Sequence, residues 1–196
     1  MTGIVEPCQP ILDFLQERRG LDATDLLVHA DPGAIYARTL AIDLADVPLT
    51  VATPGDSRNR APLSETNVPI HNVVIASCTG GSLSDLRAAA DVLRGRSLAG
   101  GVRLTVTPSS TGVQRAAESE GLLALFRDIG AVVTEPGCGS CIGNGPGIPL
   151  PGETTASTTN RNFDRRMGGP GPVYLVSPAV AAAAAVTGRL IDPRKI

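Results

Sequence analysis

Cys138 and Cys141 stand in a C-x-x-C turn, PGCGSCIG over residues 136–143, and Asn160-Arg161-Asn162-Phe163 follows, with Arg165 and Arg166 just beyond. Thiolates are soft metal ligands and nucleophiles. Guanidinium groups take carboxylates two-pronged, in a way that ammonium groups do not. A soft-ligand site followed by a cluster of anion-binding side chains is therefore the chemical signature of the chain. A third thiol, Cys78, lies in IASCTGG at residues 75–81.

The elements that must position these groups read as a parallel α/β sheet. Asn72 to Ser77 (NVVIAS) has the run of a buried strand, and Ser82 or Ser84 can cap a helix through Arg94 with Leu86, Ala89, Ala90 and Leu93 on one face. Val102 to Thr107 is a second strand, Gln114 to Gly121 and Leu122 to Asp128 are helical, and Ala131 to Thr134 is a third strand. Strand, helix, strand, helix, strand predicts a three-layer parallel βαβ arrangement with right-handed crossovers. Ligands gather at the carboxyl ends of such strands. Cys78 follows the first strand and the Cys138 turn follows the third, so both fall at one edge. Tyr174 to Val176 can add a strand, and Pro178 then starts a helix through Ala185 that Gly188 closes.

The N-terminal third is less regular. Pro10 suits the first turn of a short helix with Ile11, Leu12, Phe14 and Leu15 on its apolar side, ended by Gly20. Residues 26–30, 36–44 and 47–54 read as extended segments, too few to close a core. Residues 55–69, polar and with Pro62 and Pro69, read as a surface connection. The expected organisation is an arm over 1–69 and an α/β cluster-binding domain over 70–196.

Composition narrows the function. The chain has 196 residues, a net charge of −2, 42% hydrophobic residues and only 3% aromatics, so its core is aliphatic and nothing calls for nucleic acid or an anionic membrane as partner. No apolar run spans a bilayer, the longest small-apolar stretch being residues 179–186. The N-terminus lacks the basic-then-apolar order of a signal peptide. A reducing cytoplasm is the expected home, where cysteines serve metals or catalysis more often than disulfides.

Two ligands in a tight turn plus one distant ligand is a common way to hold a metal. A mononuclear zinc site needs a fourth Cys or His, and none stands at a suitable spacing; His29, His71 and Cys8 have no ligand-spaced partner and read as structural or bystander groups. A [4Fe-4S] cluster held by three thiolates leaves one iron open to bind a substrate hydroxyl and carboxylate. The bland reading, a pair of turn cysteines beside a buried thiol, stays open on spacing alone, as does a solvated basic loop for the arginines.

Taken together, IASCTGG, PGCGSCIG, STTNRNFDRRMG at 157–168 and YLVSPAVAAAAAVTG at 174–188 resemble the aconitase superfamily, nearest to the large subunits of isopropylmalate dehydratase and homoaconitase. The likeness is strongest from about residue 70 onward and looser back to Asp31. It implies a domain like the third of aconitase, a [4Fe-4S] cluster on Cys78, Cys138 and Cys141, and carboxylate contacts from Asn160, Arg161 and Arg166. The implied reaction is dehydration and rehydration of a hydroxy polycarboxylic acid. The resemblance also implies that this is the C-terminal half of a large subunit, needing a complementary N-terminal half and a small swivel-domain subunit. Two departures stand out: Gly80 replaces the family's usual Asn, and Arg165 its usual Gly. With the base-bearing parts absent, a non-catalytic cluster-binding or assembly module is the alternative.

Overall fold

The computed structural model describes residues 5–196, and the expected start of the first helix region at residues 1–4 lies outside them. The chain divides into two compact units, Met1–Leu44 and Ala45–Ile196. The boundary thus falls well before residue 70, because residues 45–69 supply strands to the larger unit's sheet.

In the smaller unit, α1 spans Gln9–Arg19 with Pro10 in its first turn and Gly20 in the left-handed conformation closing it. That conformation is cheap only without a Cβ. The expected strands at 26–30 and 36–44 do not form. Their apolar side chains, Val28, Tyr36, Leu40 and Ile42 among them, stay exposed, so neither segment has the buried face that stabilises a strand.

The larger unit is built on one seven-stranded mixed sheet. Its strands are β1 (Thr50–Ala52), β2 (Arg60–Pro62), β3 (Asn72–Ile75), β4 (Arg103–Val106), β5 (Val132–Val133), β6 (Thr155–Ser157) and β7 (Val173–Leu175), in the order β2-β1-β7-β6-β3-β4-β5. From β7 to β5 all pairings are parallel; the β1–β2 hairpin adds antiparallel at the β7 edge. The α/β class is as the sequence implies. The hairpin and β6 are additions to it.

Helices α3 (Leu83–Leu93), α4 (Thr111–Ser119), α5 (Leu122–Asp128) and α6 (Pro178–Thr187) form one layer. Ser82 closes a capping box at α3: its hydroxyl accepts from the Asp85 amide at 3.3 Å, and its own amide donates to the Asp85 carboxylate at 3.0 Å. Such a cap contributes about 1 kcal/mol. Along α6, Ala181 to Ala185 are fully buried, and side chains this small let the helix lie close on α3 and the sheet. Val73 and Ile75 join the core beneath these helices, whereas Val74 and Ala76 face the other way, onto Met167 and Val173. The second face is therefore covered by the long connections 134–154 and 158–172 rather than by helices.

This division has a topological cause. Right-handed crossovers running from β3 towards β5 must leave the sheet by one face, and those running back to β6 and on to β7 by the other. The direction reverses between β3 and β6. A parallel sheet opens a crevice at the carboxyl end of such a switch point.

Candidate functional site

The switch point brings the loop after β3 against the loop after β6. β3 ends at Ile75, and Ser77 turns the chain with φ +76° into a single helical turn, α2 (Ser77–Gly80), that carries Cys78. A non-glycine residue there is strained, and Ser77 is held by its own hydroxyl, 2.7 Å from that of Thr79. From the β6 side, Thr158 Oγ1 accepts the Ala76 amide at 2.9 Å and stands 3.1 Å from the Ala76 and Gly80 carbonyls, to one of which it donates. Gly80 is required by this closure. A Cβ at that position would overlap the Thr158 side chain and lie 2.5 Å from its carbonyl oxygen. The missing Asn side chain is thus not an opening near the thiols: Thr158 fills the place.

The C-x-x-C turn follows β5. Cys141 donates its amide to the Cys138 carbonyl at 3.0 Å, and Gly139–Ile142 forms a tight 3-10 turn. The turn lies beside the end of β4, where a side chain at Gly139 would stand 3.5 Å from Thr107 Oγ1. Cys78 and Cys138 are exposed, and Cys141 is buried. Cys141 Sγ is 3.7 Å from Asn160 Oδ1 and 4.0 Å from Arg166 Nη2. Of the six residues singled out from the sequence, the structure thus joins Cys141, Asn160 and Arg166 by direct contact. Cys78, Cys138 and Arg161 stand on loops of the same sheet edge.

The arginine loop is fixed by its asparagine. Asn162 is buried and donates Nδ2 to the carbonyls of Thr53 at 2.7 Å and Val173 at 3.0 Å, while its backbone carbonyl accepts the Gly55 amide at 3.1 Å. Asn162 is a strut between the hairpin and β7. Arg166 lies over Phe163, its guanidinium carbon 5.6 Å from the ring centroid, a contact that favours a cation by electrostatics. Between them Arg165 sits at φ +56°, the region that glycine adopts freely and other residues at a cost of roughly 1–2 kcal/mol. This accounts for Gly as the family's usual residue there. Arg165→Gly is expected to raise stability in urea by up to about 1 kcal/mol, the relief of strain being partly offset by glycine's freer unfolded chain. Arg165→Val is expected to lower it. A loss on Arg165→Gly would contradict the assigned backbone.

Farther from the edge, Arg103 Nε binds Glu153 at 3.0 Å and holds its carboxyl below the usual carboxylate range, while the Glu153 carboxylate accepts the Leu150 amide at 2.8 Å. The pair anchors the loop under the site. His71 Nδ1 accepts the Thr154 amide at 3.1 Å, a structural role.

Two groups escaped the sequence reading. Thr158 carries only the faint signal of a Thr-Thr-Asn run. Asp56 and Arg58, in the turn between β1 and β2, lay in a stretch that reads as a linker; they share a cavity with Arg161.

The aconitase family model (aconitate hydratase) matches residues 64–188. This chain belongs to the aconitase family. Among curated aconitase-family relatives, the 3-isopropylmalate dehydratase large subunit of Desulfitobacterium hafniense is 44% identical over 197 residues, covering 100% of this chain and 46% of the relative. Large subunit 1 of the same name from Pyrococcus furiosus is 42% identical over 199 residues, again 100% of this chain and 46% of the relative. That of Nitratidesulfovibrio vulgaris is 46% identical over 171 residues, 86% of this chain and 41% of the relative. The chain spans about half the length of the curated relatives it matches. The expected placement in their C-terminal half is not supported by these matches.

Among the described residues no three His, Cys, Asp or Glu side chains form a site for a single metal ion. A polynuclear iron–sulfur cluster makes a different demand, since each thiolate binds its own iron. Three free thiols follow the carboxyl ends of strands in one sheet, Cys78 after β3 and Cys138 and Cys141 after β5. Ser140 Oγ and Arg166 Nε, flanking Cys141, are buried without a hydrogen-bond partner among the described residues. Buried polar atoms of this kind ask for an acceptor, and a sulfide-rich cluster or a bound carboxylate would supply it.

Proposed function

We propose that the chain is a component of a [4Fe-4S]-dependent hydro-lyase acting on a hydroxy polycarboxylic acid of the isopropylmalate, homocitrate or citrate type. The observation that carries the reading is the buried Cys141 thiol beside Arg166 and Asn160, at the sheet edge where Cys78 and Cys138 also emerge. Cys78, Cys138 and Cys141 would hold the cluster, which when bound supplies Lewis-acid polarisation of a hydroxyl group. Arg166 and Arg161 would fix carboxylates, Arg166 next to the thiol and Arg161 on the hairpin side. Asn160 would orient the substrate from between them. Embedding these groups in a tied loop gives the positioning on which dehydration depends.

The relatives are named as large subunits, which supports a small subunit as partner here. With about half their length spanned, a complementary large-subunit half is the second proposed partner, and a reducing cytoplasm suits an oxygen-sensitive cluster. The other reading, a non-catalytic cluster-binding or assembly module, draws on Gly80, whose closure by Thr158 leaves no side chain to reach substrate. Mixing the chain with both partners and following dehydration of 2-isopropylmalate separates the two. Turnover only in the mixture supports the enzyme component. A cluster-loaded, assembled mixture without turnover on any of the three substrate types supports the module.

A further inference from the structure

The arginine loop also borders the turn between β1 and β2. Arg161, Asp56, Ser57, Arg58 and Phe163 line a cavity of about 450 Å³ between the β1–β2 turn and the loop after β6. Arg58 is held there fork to fork: Nε donates to Asp56 Oδ1 at 3.0 Å and Nη2 to Oδ2 at 2.7 Å, and the Arg58 amide also donates to Oδ1 at 2.8 Å. Asp56 is pulled down to about 2, chiefly by these Arg58 hydrogen bonds, so the pair stays ionised at any working pH.

A guanidinium has five N–H groups, and this pairing uses two. The remaining edge, both N–H groups of Nη1 and one of Nη2, has no partner among the described residues and can take another carboxylate two-pronged. Arg161 makes one hydrogen bond among the described residues, from Nη1 to the Asn160 carbonyl at 2.7 Å, and also keeps donors to spare. Two guanidinium groups against one carboxylate leave the cavity one positive charge in excess. Phe163, half-exposed, gives it an apolar wall. Through Asn162 the backbones of the turn and the arginine loop are tied together. The hairpin lies outside residues 64–188, which the family model matches.

We propose that Arg58, oriented by Asp56, is a substrate-binding and specificity-determining residue that shares with Arg161 a carboxylate of the hydroxy polycarboxylate, the one farther from the thiols. This rests on the functional reading above. The test uses the full chain and the resonances of the arginine side-chain Nε–H groups, titrated with tricarballylate and, separately, with inorganic sulfate at matched ionic strength. The expected result is a saturable shift at both Arg161 and Arg58 with tricarballylate, a much weaker one with sulfate, and binding weakened about tenfold or more in Arg58→Gln. Amide spectra of that variant report whether its fold is kept, and the wild-type titration does not depend on it. A shift at Arg161 alone overturns the proposal and leaves the arginine loop as a carboxylate site. An equal response to sulfate makes the cavity an unselective anion sink, and overturns it too. Silence at both arginines overturns it together with the carboxylate-site reading.

Discussion

In the assembled enzyme proposed above, Arg166→Lys and Arg161→Lys are each expected to lower kcat/KM about 100-fold or more, with iron content unchanged. A lysine keeps the charge but loses the planar fork, and removing one well-placed donor from a reacting anion costs about 10²–10³ in rate. The structure separates the two effects. Arg166 lies against Cys141 and over Phe163, next to the proposed chemistry, so its loss falls mainly on kcat. Arg161 faces the hairpin cavity, so its loss falls mainly on KM. Single-turnover kinetics beside steady-state constants read the split. Unchanged constants in either variant remove that arginine from the carboxylate site.

Gly169→Ala is expected to be the most damaging single methyl in the larger unit, at about 3 kcal/mol or more in urea unfolding. A Cβ there would overlap the Pro149 carbonyl oxygen and stand 2.7 Å from its carbon. The obstacle is backbone, which cannot swing aside like a side chain. At the neighbouring Gly171 a Cβ would overlap the Glu153 carbonyl oxygen, so the segment 168–172 lies directly on the loop that Arg103 and Glu153 anchor. Shifting it moves Met167 and Arg166 as well, and the site would be lost with the stability. Gly100→Ala, with nothing within 4 Å and an ordinary φ, is the control and is expected to stay within about 0.5 kcal/mol. Similar losses in both variants would contradict the described approach of the two loops.

What the sequence made legible follows from how strongly each element is marked. α3 and α5 carry apolar faces of helical period, β3 and β4 are short apolar-rich runs and α6 is a continuous small-apolar run, with Ser82 as a cap and Gly188 as a stop, and these signals are local. β6 is Thr-Ala-Ser: its burial comes from lying between β3 and β7, which no local pattern announces. The β1–β2 hairpin is equally faint, since each strand has three residues and only Val51 is fully covered. The extended pattern at 36–44 misled for the opposite reason, because alternation marks a strand only where one face is buried, and Tyr36, Leu40, Ile42 and Leu44 are exposed.

At the site, residue types singled out the thiols and the arginines as candidates, with a structural reading left open on spacing alone. They did not reveal which groups touch. That Arg166 rather than Arg161 meets Cys141, that Asn162 is a strut, and that Gly80 is closed by Thr158 all depend on two loops meeting at the switch point. Arg165 is the instructive case. As a departure from a pattern it was only a substitution; its φ of +56° makes it a strained position with a measurable consequence.

The most direct test is anaerobic purification and reconstitution of the chain, with iron, sulfide and visible absorbance measured, then electron paramagnetic resonance after mild oxidation, Cys141→Ser run alongside. The account predicts about four irons per chain, a three-iron signal on oxidation and loss of both in the variant, because an open iron is the first to leave a three-thiolate cluster. A colourless, iron-free wild-type protein, or a Cys141→Ser variant with a full complement of iron and sulfide, would contradict it.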